Sequence, residues 1–331
     1  MKLPEIVGET WFNLPAHSES EDSSESKTGR QGSKALTKED LQNKVVLVDF
    51  WTYSCVNCVR TIPYLRNWWA KYKDKDLLII GIHTPEFEFE KDPKNVEKAL
   101  KELGVSWSVV MDNDYANWNN FANHYWPAKY MANKAGNIVY EHFGEGGYLD
   151  TEKKIQELLG KSDQEQMPKV ETDEHHHGAV CFIPTPETYC GYLRGVIENL
   201  GGYYKDSVFD YQKPEQLPDN SIALSGKFLA KSEYVESRDP DARLYLHFKA
   251  TEVNLVASPV EPQATVEITL DGKPLADDIK GHDINNNKVI IRESKMYNLL
   301  KTKDFLAGII GIKSVAGNFR AYAFTFSGCV D

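Results

Sequence analysis

Apolar residues follow two different rhythms along this chain, and the change comes near residue 160. Val45-Val46-Leu47-Val48-Asp49-Phe50-Trp51 is an almost unbroken apolar run of strand length. That pattern predicts a central strand covered on both faces. Over 60–73 the spacing turns helical, with Leu65, Trp68, Trp69 and Tyr72 at i, i+3, i+4 and i+7, which places them on one helix face. Segments 77–82 and 107–111 predict two further buried strands with a helix over 95–103 between them. A strand at 137–143 and a helix over 151–159 close the unit. Strands alternating with helices imply βαβ units and an α/β sheet.

Two stretches break these rhythms. Residues 18–35 are polar and low in complexity and read as a flexible insertion, since they hold too little apolar surface to offset ordering entropy. Thr37 followed by Glu39 and Asp40 predicts a short helical turn. Residues 161–188 carry three prolines and a charge cluster and read as a linker. Beyond it the pattern is all-β. Short strand-like runs cover 242–250, 252–257, 264–270, 288–291, 307–312 and 320–326, and Asp271-Gly272 is a hairpin signal. Strands at this spacing predict a β-sandwich. The expected organisation is an α/β domain over 1–160, a linker over 161–188 and a β-sandwich over 189–331.

A length of 331 residues agrees with two domains, because single cores seldom grow past about 250–300 residues. The net charge of −11 argues against nucleic acid, whose phosphates call for a basic face. No apolar run reaches the roughly 18–20 residues that span a bilayer, and residues 1–30 have no signal-type apolar core. Two readings follow: a cytosolic protein, or a chain that begins after a removed signal or membrane part.

Five cysteines are present, and two form a CxxC, Cys55 and Cys58, directly after the first strand and before the first helix. A helix N-terminus offers unpaired N–H groups and the positive end of a dipole, which favour a thiolate. Cys55, the exposed first cysteine, is the expected nucleophile, and Cys58, one turn on, the resolving thiol. A zinc site needs a second ligand pair. The run His175-His176-His177 and Cys181 lie far away in the linker, so no metal is expected and the histidines read as an exposed tract. Cys190 and Cys329 lie near the two ends of the second domain. Terminal strands of sandwiches are often neighbours, so a Cys190–Cys329 disulfide is expected, with Cys181 an alternative partner.

The segment VVLVDFWTYSCVNCVRTIPYL resembles the active-site region of thioredoxin-like proteins of the TlpA/ResA group. The likeness is strongest to the extracytoplasmic region of DipZ-type, CcdA-associated thiol–disulfide proteins. GIHTPEFEFEKDPKNV, MDNDYANWNNFANHYWPAKYMANKAGNIVYEHFGEGGY and TPETYCGY support it. The resemblance covers 1–160 well and the rest more weakly. It implies a thioredoxin fold followed by a jelly-roll, carbohydrate-binding-module-like sandwich. It implies that Asp49, six residues before Cys55, is a buried acid that accepts the Cys58 proton during resolution. It implies a cis bond at Trp126-Pro127 facing the CxxC, beside which an extended substrate pairs. It also implies that Trp51 and Tyr53 rim the site. Ser54 stands where thioredoxin has tryptophan, and Val56-Asn57 where thioredoxin has Gly-Pro. Thioredoxin's potential therefore does not transfer.

The function so implied is an extracytoplasmic disulfide reductase that acts on oxidised proteins or peptides, needs no diffusible cofactor, and draws electrons from a CcdA-type membrane donor. The alternative is a carbohydrate- or protein-binding module in which the sandwich carries the main role, with Tyr203, Tyr204, Tyr211 and Tyr234 stacking on glycans.

Overall fold

The computed structural model describes residues 1–15, 35–160 and 180–330. The chain divides into two compact units, Met1–Glu171 and Thr172–Asp331. The insertion expected at 18–35 lies almost wholly outside the described residues, and so do His175, His176 and His177.

In the first unit the elements run β1 (Trp11–Phe12), β2 (Val45–Trp51), α1 (Val56–Tyr72), β3 (Leu77–His83), α2 (Pro93–Glu102), β4 (Ser108–Met111), α3 (Ala116–Asn120), β5 (Ala128–Ala132), β6 (Ile138–Phe143) and α4 (Tyr148–Leu158). They build one six-stranded sheet in the order β1-β4-β3-β2-β5-β6. Strands β2, β3 and β4 are parallel, while β5 runs antiparallel to β2 and to β6. All seven residues of β2 are buried because alternate side chains enter two separate cores. Val45, Leu47 and Trp51 pack with Cys58, Ile62, Leu65, Trp68 and Tyr72 of α1, whereas Val46, Val48 and Phe50 pack on the other face with Ile80, Ile82 and Phe121. Each such fully buried large side chain contributes on the order of 1.5–3 kcal/mol. Asp49 therefore projects to the α1 face, in phase with Leu47 and Trp51. Gly81 on β3 pairs with Asp49, and a Cβ there would come within 3.0 Å of the Trp51 indole nitrogen and of Val109 Cγ2. Only glycine leaves that room.

The second unit comprises β7 (Val180–Cys181), β8 (Thr188–Tyr189), β9 (Val208–Tyr211), β10 (Ser221–Ala230), β11 (Val235–Ser237), β12 (Arg243–Pro259), β13 (Ala264–Leu270), β14 (Lys273–Pro274), β15 (Lys288–Ile291), β16 (Lys295–Ala316), β17 (Phe319–Ser327) and β18 (Cys329–Val330). The runs expected at 242–250 and 252–257 are one long strand, β12, with register shifts after Ala250 and Val253. Its first half pairs with β10 and its second half with β17, while β11 bridges β10 and β17. The ladder thus returns on itself around a single core that includes Phe228, Leu246, Ile268, Ile312 and Phe324. This is an all-β domain, as the alternation predicts.

The cysteines of this domain require a correction. Cys190 is a buried free thiol whose backbone N–H donates to Tyr322 O at 2.7 Å. Cys329 lies seven residues beyond Tyr322, a distance of roughly 20 Å along a strand, and pairs in register with Cys181 instead. The expected Cys190–Cys329 disulfide is not formed.

Candidate active site

Helix α1 begins at the CxxC because Cys55 has an extended backbone and its own side chain caps the helix. The Cys55 sulfur accepts from the Cys58 N–H at 3.3 Å. The thiol thus holds the place that serine or aspartate takes at other helix starts, in line with the dipole. Cys55 is partly exposed and Cys58 is 1% exposed. Burial pushes the Cys58 thiol well above its usual range, and the neighbouring Cys55 sulfur adds to this. One sulfur is therefore presented to a partner, and the other is held back and protonated.

Beneath Cys58 lies a buried charged pair. Asp49 is 1% exposed, and burial raises its carboxyl to about 7, with Lys129 opposing the rise. Lys129 sits opposite Asp49 in the β2–β5 register and is itself fully buried. Burial lowers its ammonium, while the nearby Asp49, Cys58 and Glu145 charges act the other way. Composition gave no reason to single out Lys129; its only sequence signal is a lysine inside the apolar run AKYMA.

The strand leading to Lys129 starts at a cis Trp126–Pro127 bond, as expected. Trp126 and Cys55 each pack against the α1-side core, which includes Tyr53, and the Trp126 and Trp118 ring centroids are 4.2 Å apart. Its indole N–H donates to Thr84 O at 3.1 Å. Tyr53 is 7% exposed and stacks on His83, with ring centroids 5.7 Å apart. Trp51 does not rim the site. As the last residue of a central strand it is buried, with its ring edge-on to His83.

A second buried carboxylate completes the surroundings. Glu90 is fully buried and accepts from Thr52 Oγ1 at 2.5 Å and Ser54 Oγ at 2.6 Å. Its only sequence signal is a glutamate in the alternating run EFEFEK, which residue type does not mark as buried. Glu86 donates its backbone N–H to Glu90 Oε2. Among the described residues, no group of three or more His, Cys, Asp or Glu is placed to hold a metal ion. No helix among them is long and apolar enough to cross a membrane.

The tyrosines expected to stack on glycans are engaged within the second domain. Tyr211 is buried, Tyr203 donates to Cys190 O, Tyr204 lies flat on Phe209, and the Arg320 guanidinium sits over Tyr234.

Comparison with known proteins agrees with this site. The Redoxin family model matches residues 8–159, and the model described as "Thioredoxin like C-terminal domain" matches 185–327. Protein DipZ of Mycobacterium tuberculosis is 37% identical over 282 residues, which are 84% of this chain and 38% of DipZ. The chain therefore spans about two-fifths of the length of that relative. The thiol-disulfide oxidoreductase YkuV of Bacillus subtilis is 29% identical over 129 residues, 39% of this chain and 86% of YkuV. The thiol-disulfide oxidoreductase ResA of Bacillus thuringiensis is 25% identical over 112 residues, 34% of this chain and 62% of ResA.

Proposed function

We propose, for a chain that belongs to the TlpA/ResA group of thioredoxin-like thiol–disulfide oxidoreductases and is of the DipZ type, that it works outside the cytoplasm as a reductase of protein disulfides. The observation that carries this reading is the unequal exposure of two sulfurs at one helix start: Cys55 partly open, Cys58 closed. The Cys55 thiolate attacks one sulfur of a substrate disulfide. A Cys55–substrate S–S bond forms, the substrate bond breaks, and one substrate thiolate leaves. Cys58 passes its proton toward Asp49 and attacks the Cys55 sulfur. The Cys55–Cys58 bond forms, and the second substrate sulfur departs as a thiolate and takes up a proton. The substrate gains two electrons and the protein loses two. A membrane donor of the CcdA type returns them by the same exchange, run on the Cys55–Cys58 disulfide. Substrate peptide lies extended beside Trp126 and Pro127.

Direction is set by potential. The test is an equilibrium titration of the Cys55–Cys58 pair against a thiol buffer, beside an insulin-reduction assay. A potential near about −270 mV, as in thioredoxin, with turnover lost in Cys55→Ser, is the expected result. A potential near about −120 mV, as in DsbA, contradicts the reductase reading.

A further inference from the structure

Glu90 has a set of contacts that the exchange mechanism does not use. Its carboxylate receives five donors. Oε1 takes the hydroxyls of Thr52 and Ser54 and, at 3.3 Å, the Ser54 backbone N–H. Oε2 takes the backbone N–H groups of Glu86 at 2.6 Å and Phe87 at 3.0 Å. Thr52 and Ser54 belong to the short segment between β2 and the nucleophile Cys55. Residues 84–87 belong to the loop that also holds the Trp126 indole through Thr84. One buried side chain thus joins the chain before Cys55 to the loop that anchors the cis-proline segment.

A group met only by donors is matched by the ionised, acceptor-only form. Among the described residues, no salt bridge to Glu90 is formed. A buried negative charge bonded to Ser54, the residue before Cys55, disfavours a second negative charge on the Cys55 sulfur. It therefore raises the free energy of the thiolate-bearing reduced pair relative to the uncharged disulfide. Burial and the neighbouring Glu86 push Glu90 up to about 7, so above that pH the charge is present.

We infer that Glu90 is a positioning residue of the redox site: it fixes the Thr52–Ser54 segment ahead of Cys55, and its charge biases the Cys55–Cys58 couple toward the disulfide, making the protein a stronger reductant. This rests on the thiol–disulfide reading and adds the feature that sets direction.

The experiment is equilibration with glutathione at pH 8. The Cys55–Cys58 disulfide and two glutathione thiols exchange to the dithiol and glutathione disulfide, with two electrons transferred and two protons retained on the new thiols. Glu90→Gln keeps size and an acceptor oxygen but removes the charge. The expected result is a shift of about tenfold toward reduced protein, equivalent to about 30 mV for a two-electron couple, with the circular dichroism of the protein unchanged. Ser54→Ala keeps the charge and removes one donor, and is expected to leave the equilibrium in place or move it toward the disulfide. An unchanged equilibrium in a folded Glu90→Gln protein overturns the inference. Should Glu90→Gln fail to fold, a Ser54→Ala shift toward reduced protein overturns it instead. If the wild-type pair does not exchange with glutathione at all, the thiol–disulfide reading fails first, which separates the two outcomes.

Discussion

Asp49 and Lys129 face each other across β2 and β5, both out of solvent, yet neither Asp49 Oδ1 nor Lys129 Nζ meets a hydrogen-bond partner among the described residues. A buried pair left open in this way costs stability rather than adding to it. Its use lies in chemistry: an acid raised to about 7 beside Cys58 takes or returns a proton at physiological pH. Replacing Asp49 with Asn should slow release of the mixed disulfide by at least about tenfold at pH 8. It should also remove the rise in turnover through about pH 7, as read by stopped-flow reduction of a disulfide peptide.

The same substitution should stabilise the fold, and the sign follows from linkage. Unfolded, an aspartate titrates near 3.8; in the fold, Asp49 titrates near 7. Between those values the folded chain holds a proton that the unfolded chain has lost, so stability falls as pH rises and stays lower above 7. Asp49→Asn should therefore gain up to about 4 kcal/mol at pH 8, less the cost of an unpartnered Lys129, and little at pH 4. Urea unfolding at the two pH values checks this; equal gains at both would contradict it.

Lys129 pulls the Asp49 carboxyl down. Lys129→Met should let Asp49 rise further, moving the acid limb of the pH–rate profile to higher pH with the maximum rate little changed. A limb that stays in place would show that Lys129 serves packing alone.

The redox pair, the strand before it and the cis Trp126–Pro127 bond were legible in the sequence because each rests on local pattern: an apolar run, a CxxC spacing, a Trp-Pro in a matched segment. Asp49 was legible through the same matched segment, but two other groups that set the site's electrostatics were not. Lys129 and Glu90 reach it through register and loop packing, which residue type does not encode. The long strands β12 and β16 were read as fragments because their bends and polar positions, such as Glu252, Asn254 and Asn298, interrupt the apolar alternation. Those residues hydrogen-bond one another inside the domain. Trp51 was misplaced for a related reason: an aromatic at a strand end looks the same in sequence whether it lines a rim or a core.

Glu152 of α4 is 2% exposed and accepts from Trp68 Nε1, Tyr72 OH, Lys71 Nζ and Gln156 Nε2. Glu152→Ala leaves several buried donors without their acceptor and should cost about 3 kcal/mol or more. Glu152→Gln, which retains an acceptor oxygen, should cost less. Denaturant midpoints check the order, and the potential of the Cys55–Cys58 pair should not move.

In the second domain the backbone register sets Cys181 opposite Cys329. Phe182 N–H donates to Gly328 O, and the adjacent pair in the ladder is Cys181 and Cys329. Peptide mapping under non-reducing conditions should recover any cross-link between these two and find Cys190 free. A cross-link involving Cys190 would contradict the strand pairing.

The order of attack is tested most directly by trapping. Cys58→Ser protein, mixed with a disulfide peptide and analysed by mass spectrometry, should accumulate one peptide bound covalently to Cys55, because the resolving sulfur is gone. The reciprocal Cys55→Ser protein should trap nothing, since Cys58 is closed off. Peptide held on Cys58, or no adduct in the first protein, would contradict Cys55 as the nucleophile.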